Sequence, residues 1–128
     1  GFERAVRDAD TGRFRLVGPA LRLNLGGRKV TTLTADGGVY DEAAKTVTIG
    51  PNVRIVDGGS GFNLVTPEAV VDTSTGVVTG DKGVRGSGPL GTVAASSYAI
   101  YEQGERVVFR GSGENKVRGA YNPTNADG

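Results

Sequence analysis

The sequence predicts an all-β fold with little helix, and three observations predict it. Glycine is abundant, with 22 in 128 residues, and Trp, Met and Cys are absent. Apolar residues arrive in short β-branched runs alternating with polar ones, the period of a strand and not of a helix. The same runs, turns and charges recur at intervals of roughly 30 residues, which is the mark of units that stack because none buries its apolar face alone. A chain of this length is expected to make one domain with a real core. The expected organisation is a leader over residues 1–12, a β domain over 13–118 and a flexible tail over 119–128.

Gly1 to Gly12 (GFERAVRDADTG) sets charges around Phe2, Ala5 and Val6, enough for a helical turn or two and little burial. From Arg13 the period becomes two. Phe14 and Leu16 share a face, Gly18-Pro19 bends the chain, and Leu21, Leu23 and Leu25 resume the alternation around Arg22 and Asn24. Gly26-Gly27 supplies a turn, and Val30 to Ala35 is extended again.

A repeat follows. Moving Leu33 to Ile55 along by 31 residues places Leu33 on Leu64, Tyr40 on Val71, Asp41 on Asp72, Val47 on Val78, Val53 on Val84 and Arg54 on Arg85. A further step of 30 places Val71 on Tyr101, Asp72 on Glu102 and Val78 on Val108, with extra residues around Gly111 to Gly113. Backward by 32, Val17 to Gly27 matches Ile49 to Gly59. Each unit is expected to hold an extended run, an acidic turn, a second run, a Gly or Pro break and a short third run. The turns are Asp41 to Lys45, Asp72 to Gly76 and Glu102 to Glu105, with hairpin chemistry in the last two. Lys116 to Arg118 is a candidate last strand, and Tyr121 to Gly128 has the composition of a frayed end.

Composition removes several function classes. There is no His and no Cys, so cysteine nucleophiles, Ser-His-Asp triads and Cys/His zinc sites are excluded. Fifteen basic residues balance fourteen acidic ones, and no basic cluster exceeds Arg28-Lys29, so no nucleic-acid footprint is indicated. No run approaches the roughly 18 apolar residues of a membrane span, and no signal peptide opens the chain.

The motifs that suggest chemistry fail on context. Gly86 to Gly91 (GSGPLG) satisfies a dinucleotide fingerprint, yet Pro89 and the following TVAASS do not open a helix, so a wide hairpin turn is expected. Asp72-Thr73-Ser74 lacks the glycine of an aspartic protease and recurs as an ordinary turn. Asp41, Asp72, Glu102 and Glu105 are the carboxylates a hydrolase reading would use, although nothing in the sequence converges them. Gly58 to Gly61 (GGSG) lacks the aspartate of a calcium-binding β-roll repeat. No metal, no cofactor and no catalytic residue is expected, and the chain is read as a non-enzyme.

What remains is an apolar face. The residues expected to point inward are Leu21, Leu23, Leu33, Tyr40, Val47, Ile49, Val53, Ile55, Phe62, Leu64, Val71, Val78, Val84, Ile100 and Phe109, while the period leaves Val107 and Val108 undecided. Two outcomes stay open: a sealed core, as in a structural filament or adhesin module, or a sheet-lined groove that takes an apolar ligand.

Ala69 to Val84 (AVVDTSTGVVTGDKGV), Gly88 to Ala95 (GPLGTVAA) and Gly104 to Gly111 (GERVVFRG) resemble the periplasmic domain of the LptC family of lipopolysaccharide-export proteins. Leu33 to Asp36 with Tyr40-Asp41 is similar to the repeat shared with the LptA and LptD N-terminal relatives. The resemblance covers Arg13 to Gly111. It implies an elongated, twisted, V-shaped antiparallel β-jellyroll whose inner groove, lined by the fifteen residues above, holds the acyl chains of lipopolysaccharide. It also implies edge-to-edge strand pairing with LptA-like and LptF/LptG-like jellyroll domains, in a periplasmic bridge from an inner-membrane ABC transporter toward the outer membrane. Family members carry an N-terminal membrane helix, which here is expected upstream of Gly1. The chain after Gly111 departs from the family pattern. Arg54 and Arg85 recur at equivalent positions, and no charged residue is carried over as a phosphate contact.

Overall fold

The computed structural model describes residues 4–8, 12–23, 30–59, 61–89, 91–101 and 106–111. Among them lie fourteen strands: β1 (Arg4–Asp8), β2 (Arg13–Val17), β3 (Ala20–Leu23), β4 (Thr31–Thr34), β5 (Gly37–Asp41), β6 (Thr46–Ile49), β7 (Val53–Asp57), β8 (Asn63–Thr66), β9 (Ala69–Asp72), β10 (Val78–Gly80), β11 (Val84–Gly88), β12 (Gly91–Ala95), β13 (Ser97–Tyr101) and β14 (Arg106–Arg110). The fold is all-β and antiparallel, and no helix occurs among the described residues.

The chain makes hairpins and places them alternately in two sheets. The eight-stranded sheet runs β1-β2-β5-β6-β9-β10-β13-β14, and the six-stranded sheet runs β12-β11-β8-β7-β4-β3. Each repeat therefore contributes one hairpin to each sheet, and the inward faces of both sheets meet in one apolar core. Six corners carry the chain across: Gly18-Pro19, Ala35-Asp36, Gly50 to Asn52, Pro67-Glu68, Asp81 to Gly83 and Ser96. All six lie along one side of the molecule, and the hairpin tips lie along the opposite side.

The corners satisfy one another's backbone groups. Gly18 N–H donates to the Asp36 carbonyl at 3.0 Å, Asp36 N–H to Pro51 at 3.0 Å, Gly83 N–H to Ser96 at 2.9 Å and Ser96 N–H to Arg110 at 2.9 Å. Side chains add to the seam: Asn52 Nδ2 donates to Asp36 Oδ2 at 2.6 Å, Thr66 Oγ1 donates to the Gly83 carbonyl at 2.6 Å, and Tyr98 Oη donates to the Glu68 carbonyl at 3.1 Å. A bend that left these groups unpaired in a partly buried position would cost about 1–3 kcal/mol for each.

Glycines within strands make room for large neighbours. On the inner face, Leu16, Gly38, Ile49 and Ala69 form one row across four strands, and Gly80, Tyr98 and Phe109 continue it. A Cβ on Gly80 would collide with the Tyr98 ring, and one on Gly86 would collide with Leu64 Cδ2. Glycine weakens a strand in isolation; here the neighbouring side chain fills the space it leaves.

Several sequence expectations change. Arg4–Asp8, expected as a leader with a helical turn, is strand β1, its backbone paired with β2 from Arg4 opposite Val17 to Asp8 opposite Arg13. The run from Leu33 through Tyr40 is two strands in different sheets, because the corner at Ala35-Asp36 interrupts it. Gly86 to Gly91 is not a wide turn: Gly86 to Gly88 belong to β11, Gly91 opens β12, and Gly88 pairs with Gly91. The third copy aligns at 29 residues, not 30, because Ile100 and Val107 are the buried partners of Val78 and its ladder, while Tyr101 and Val108 are only half-buried. At the first unit the match by 32 fails only before Gly18, where Leu16 is buried in the row of Ile49 and Val17 is 49% exposed; beyond it Leu21 and Leu23 face inward as Val53 and Ile55 do. Leu25, Gly26-Gly27, Glu102 to Glu105, Lys116 to Arg118 and residues 119–128 lie outside the described residues.

Two outcomes follow for stability. Gly80→Val or Gly86→Val is expected to lower unfolding free energy by about 1–3 kcal/mol through overpacking, as read by urea denaturation. Gly37→Ala, whose added Cβ meets nothing closer than 3.5 Å, serves as the near-neutral comparison. Burial pushes the Tyr98 phenol up to about 12 from 10.0, with the nearby Glu68 charge adding to the rise against a hydrogen bond with Thr66. The folded chain holds this proton longer than the unfolded one, so the contribution is whole below about pH 10 and is lost as pH rises toward 12. Tyr98→Phe is expected to remove that alkaline phase from a stability titration.

Candidate functional site

The inward face is built by register. One row crosses the eight-stranded sheet as Phe14, Tyr40, Val47, Val71, Val78, Ile100 and Val107, each directly opposite the next. Facing it, Leu21, Leu33, Ile55, Leu64, Gly86 and Val93 form a row across the six-stranded sheet. Because side chains alternate between faces, every second residue of each strand joins this interior.

All fifteen residues expected to point inward belong to one cluster. Leu33, Val47, Ile49, Val53, Ile55, Phe62, Leu64, Val71, Val78, Val84 and Ile100 are buried, none more than 4% exposed. Leu21, Leu23, Tyr40 and Phe109 are half-buried against them. Leu21 and Leu23 lie on β3, an end strand of the six-stranded sheet, and Phe109 lies on β14, an end strand of the other. Tyr40 stacks on Phe14 with ring centroids 5.7 Å apart. The middle of the interior is thus tightly closed, and its apolar surface is partly open toward the ends.

Sequence reasoning missed Leu16, Ala69, Val93 and Tyr98, and left open Val107, all buried in the same cluster. Each carried a signal: Leu16 alternates with Phe14, Ala69 with Val71, and Tyr98 with Ile100. Val93 lies in a run of small residues with no contrast to phase it, and Val107 required the correct offset of the third copy. Two buried polar groups enter the interior together. Thr31 Oγ1 donates to Asp57 Oδ1 at 2.7 Å, so Asp57 sits at 4% exposure with a partner in place.

Of the carboxylates of the hydrolase reading, Asp41 and Asp72 lie among the described residues, at the ends of β5 and β9. Asp41 Oδ1 accepts from Ala44 N–H at 3.1 Å and its Oδ2 accepts from Arg13 Nε at 3.3 Å. The Ala44 amide first, and the Arg13 side chain with it, hold the Asp41 carboxyl below the usual carboxylate range. Asp72 Oδ1 accepts from Ser74 N–H at 2.8 Å and Thr75 N–H at 3.0 Å. Both bind their own loops, as turn aspartates do. Among the described residues no three acidic, His or Cys side chains gather as a metal site.

The sheets end in strands with an unpaired side. Among the described residues these are β1 and β14 in the eight-stranded sheet and β3 and β12 in the six-stranded one. Such edges offer backbone donors and acceptors to a further strand.

No curated protein matches the chain. A family model described as "Lipopolysaccharide-assembly, LptC-related" matches residues 3–122, nearly the whole length and including β1. With its hairpins alternating between two sheets around an apolar interior, the chain belongs to the LptC-related lipopolysaccharide-assembly family.

Proposed function

We propose that this chain is a non-enzymatic periplasmic link that takes lipopolysaccharide acyl chains between its two sheets and passes them along the stacking direction. The observation that supports this most directly is the apolar interior, which runs from β2 to β14 in one sheet and from β3 to β12 in the other and is only partly covered toward β3 and β14. Family membership supplies the ligand. The fifteen inward residues are the proposed lining, and no charged side chain is assigned to the lipid.

Entry follows from the asymmetry of the fold. All six crossovers and their hydrogen bonds join the sheets on one side, whereas no described chain segment joins them along the hairpin tips. Separation therefore proceeds at the tip side with the corner seam as hinge. Each methylene taken from water contributes about 0.8 kcal/mol, so acyl chains offset the burial lost when the apolar faces part. A lining made chiefly of Val, Ile and Leu, with its buried Thr31 and Asp57 already bonded to each other, grips no single position, which suits sliding.

The partners proposed are LptA-like and LptF/LptG-like jellyroll domains, joined by strand addition at the sheet ends. In the full-length protein a membrane helix before Gly1 would hold the domain at the inner membrane. A structural β-repeat module with a sealed core is the second reading, favoured by the burial of the central row.

A photo-crosslinking residue at Val71 or Val78, compared with one at the outward Thr79, separates the two. Capture of lipopolysaccharide from the inward positions and not from Thr79 is expected. Equal capture at all three, or none, would leave the sealed module standing.

A further inference from the structure

The outer face of the six-stranded sheet carries a charge pattern that the apolar interior does not use. Arg22, Arg54 and Arg85 occupy β3, β7 and β11, one in each repeat, and all three side chains are exposed. The only carboxylate within the strands of this sheet is Asp57, which turns inward and is bonded to Thr31. The outer face is thus of single sign along its strands. The other sheet is different, since Asp41 and Asp72 lie among its arginines.

Arg54 and Arg85 flank one residue. The register sets Arg54 opposite Val65 and Val65 opposite Arg85, so the two arginines sit two strand spacings apart, about 10 Å between backbones. Val65 between them is 41% exposed, and nearby Val56 is 36% exposed. Neither arginine takes part in an ion pair among the described residues. Both line a cleft of about 870 Å³ where this face turns into the corners, together with Lys82, Ala94 and Pro67. Lys82 is only loosely paired, 3.9 Å from the exposed Asp81.

We propose that this cleft binds an anionic lipid headgroup, with a phosphate seated between Arg54 and Arg85. Two guanidinium forks at this separation reach one phosphate from both sides, each with donors that match its oxygens. Exposed valines beside the cations suit the glycerol and upper acyl region of a lipid, as amphipathic surfaces do. The cleft carries three cations, Arg54, Lys82 and Arg85, against one carboxylate, Asp81, and this excess favours an anionic group. Arg54 and Arg85 lie on the face of β7 and β11 opposite to Ile55, while the cleft also reaches Val53 and Val84 of the interior at the corners, so the variants are made at the outward arginines alone.

The test is co-sedimentation of the chain with phosphatidylglycerol vesicles and with phosphatidylcholine vesicles, for the parent, Arg54→Gln/Arg85→Gln, and Arg15→Gln on the other sheet. Circular dichroism checks that the variants keep the fold. Binding to phosphatidylglycerol alone, weakened about 30-fold in the double variant and little changed in Arg15→Gln, is expected from the usual contribution of two basic residues at an anionic surface. Equal binding of the double variant and the parent would overturn the proposal. So would an absence of vesicle binding while the parent still binds inorganic pyrophosphate, or stronger competition by a poly-glutamate peptide than by the lipid.

Discussion

The structure depends on its corners. Two sheets can share one apolar interior only if the chain, on leaving one sheet, enters the other with its inward residues still inward. A strand alternates strictly, so the irregular backbone of each corner must take up whatever residue count separates one inward row from the next. The hydrogen bonds from corner to neighbouring corner hold that phase, and they do so with backbone groups that would otherwise be lost in a bend. Everything else, from the row of Val47, Val71 and Val78 to the face that carries the arginines, follows from keeping this phase six times.

Packing between the faces then rests on unequal sizes. Large residues sit beside glycine or alanine on neighbouring strands: Tyr98 beside Gly80, Leu64 beside Gly86, Ile49 beside Gly38 and Ala69. The faces interlock closely in the middle, and among the described residues the buried polar groups are the bonded Thr31 and Asp57, the seam residue Thr66 and the phenol of Tyr98. The interior is held by apolar contact, which is what the proposed exchange with lipid chains requires.

Much of this was legible in the residues. The 31-residue repeat located equivalent inward positions in two units, because their corners and strands have matching lengths. The errors cluster where length changes or a strand ends. Leu33 and Tyr40 are seven residues apart, an odd number, and one unbroken strand cannot point both inward. The corner at Ala35-Asp36 absorbs the extra residue, and period alone does not reveal it. The third copy slipped by one because its hairpin is shorter, which left Val107 open. Arg4–Asp8 has too little apolar alternation to announce a strand; its pairing with β2 is a tertiary contact that no local pattern contains. The arginines were visible as a recurrence, but only the register shows that they bracket Val65 on an outer face.

The hairpin tips and the corners differ in what they tolerate. From the inner row of the six-stranded sheet to that of the eight-stranded sheet the chain takes five residues each time: Leu33 to Gly38, Leu64 to Ala69 and Val93 to Tyr98. Across the tips the count varies, nine from Ile55 to Leu64 and seven from Gly86 to Val93. The whole difference between the second and third units is therefore absorbed at a tip, in an even step that leaves alternation intact. A tip can lengthen by an even step without disturbing the next rung, whereas an odd step is taken up only at a corner, as in the spans Leu16 to Leu21, five residues, and Ile49 to Ile55, six.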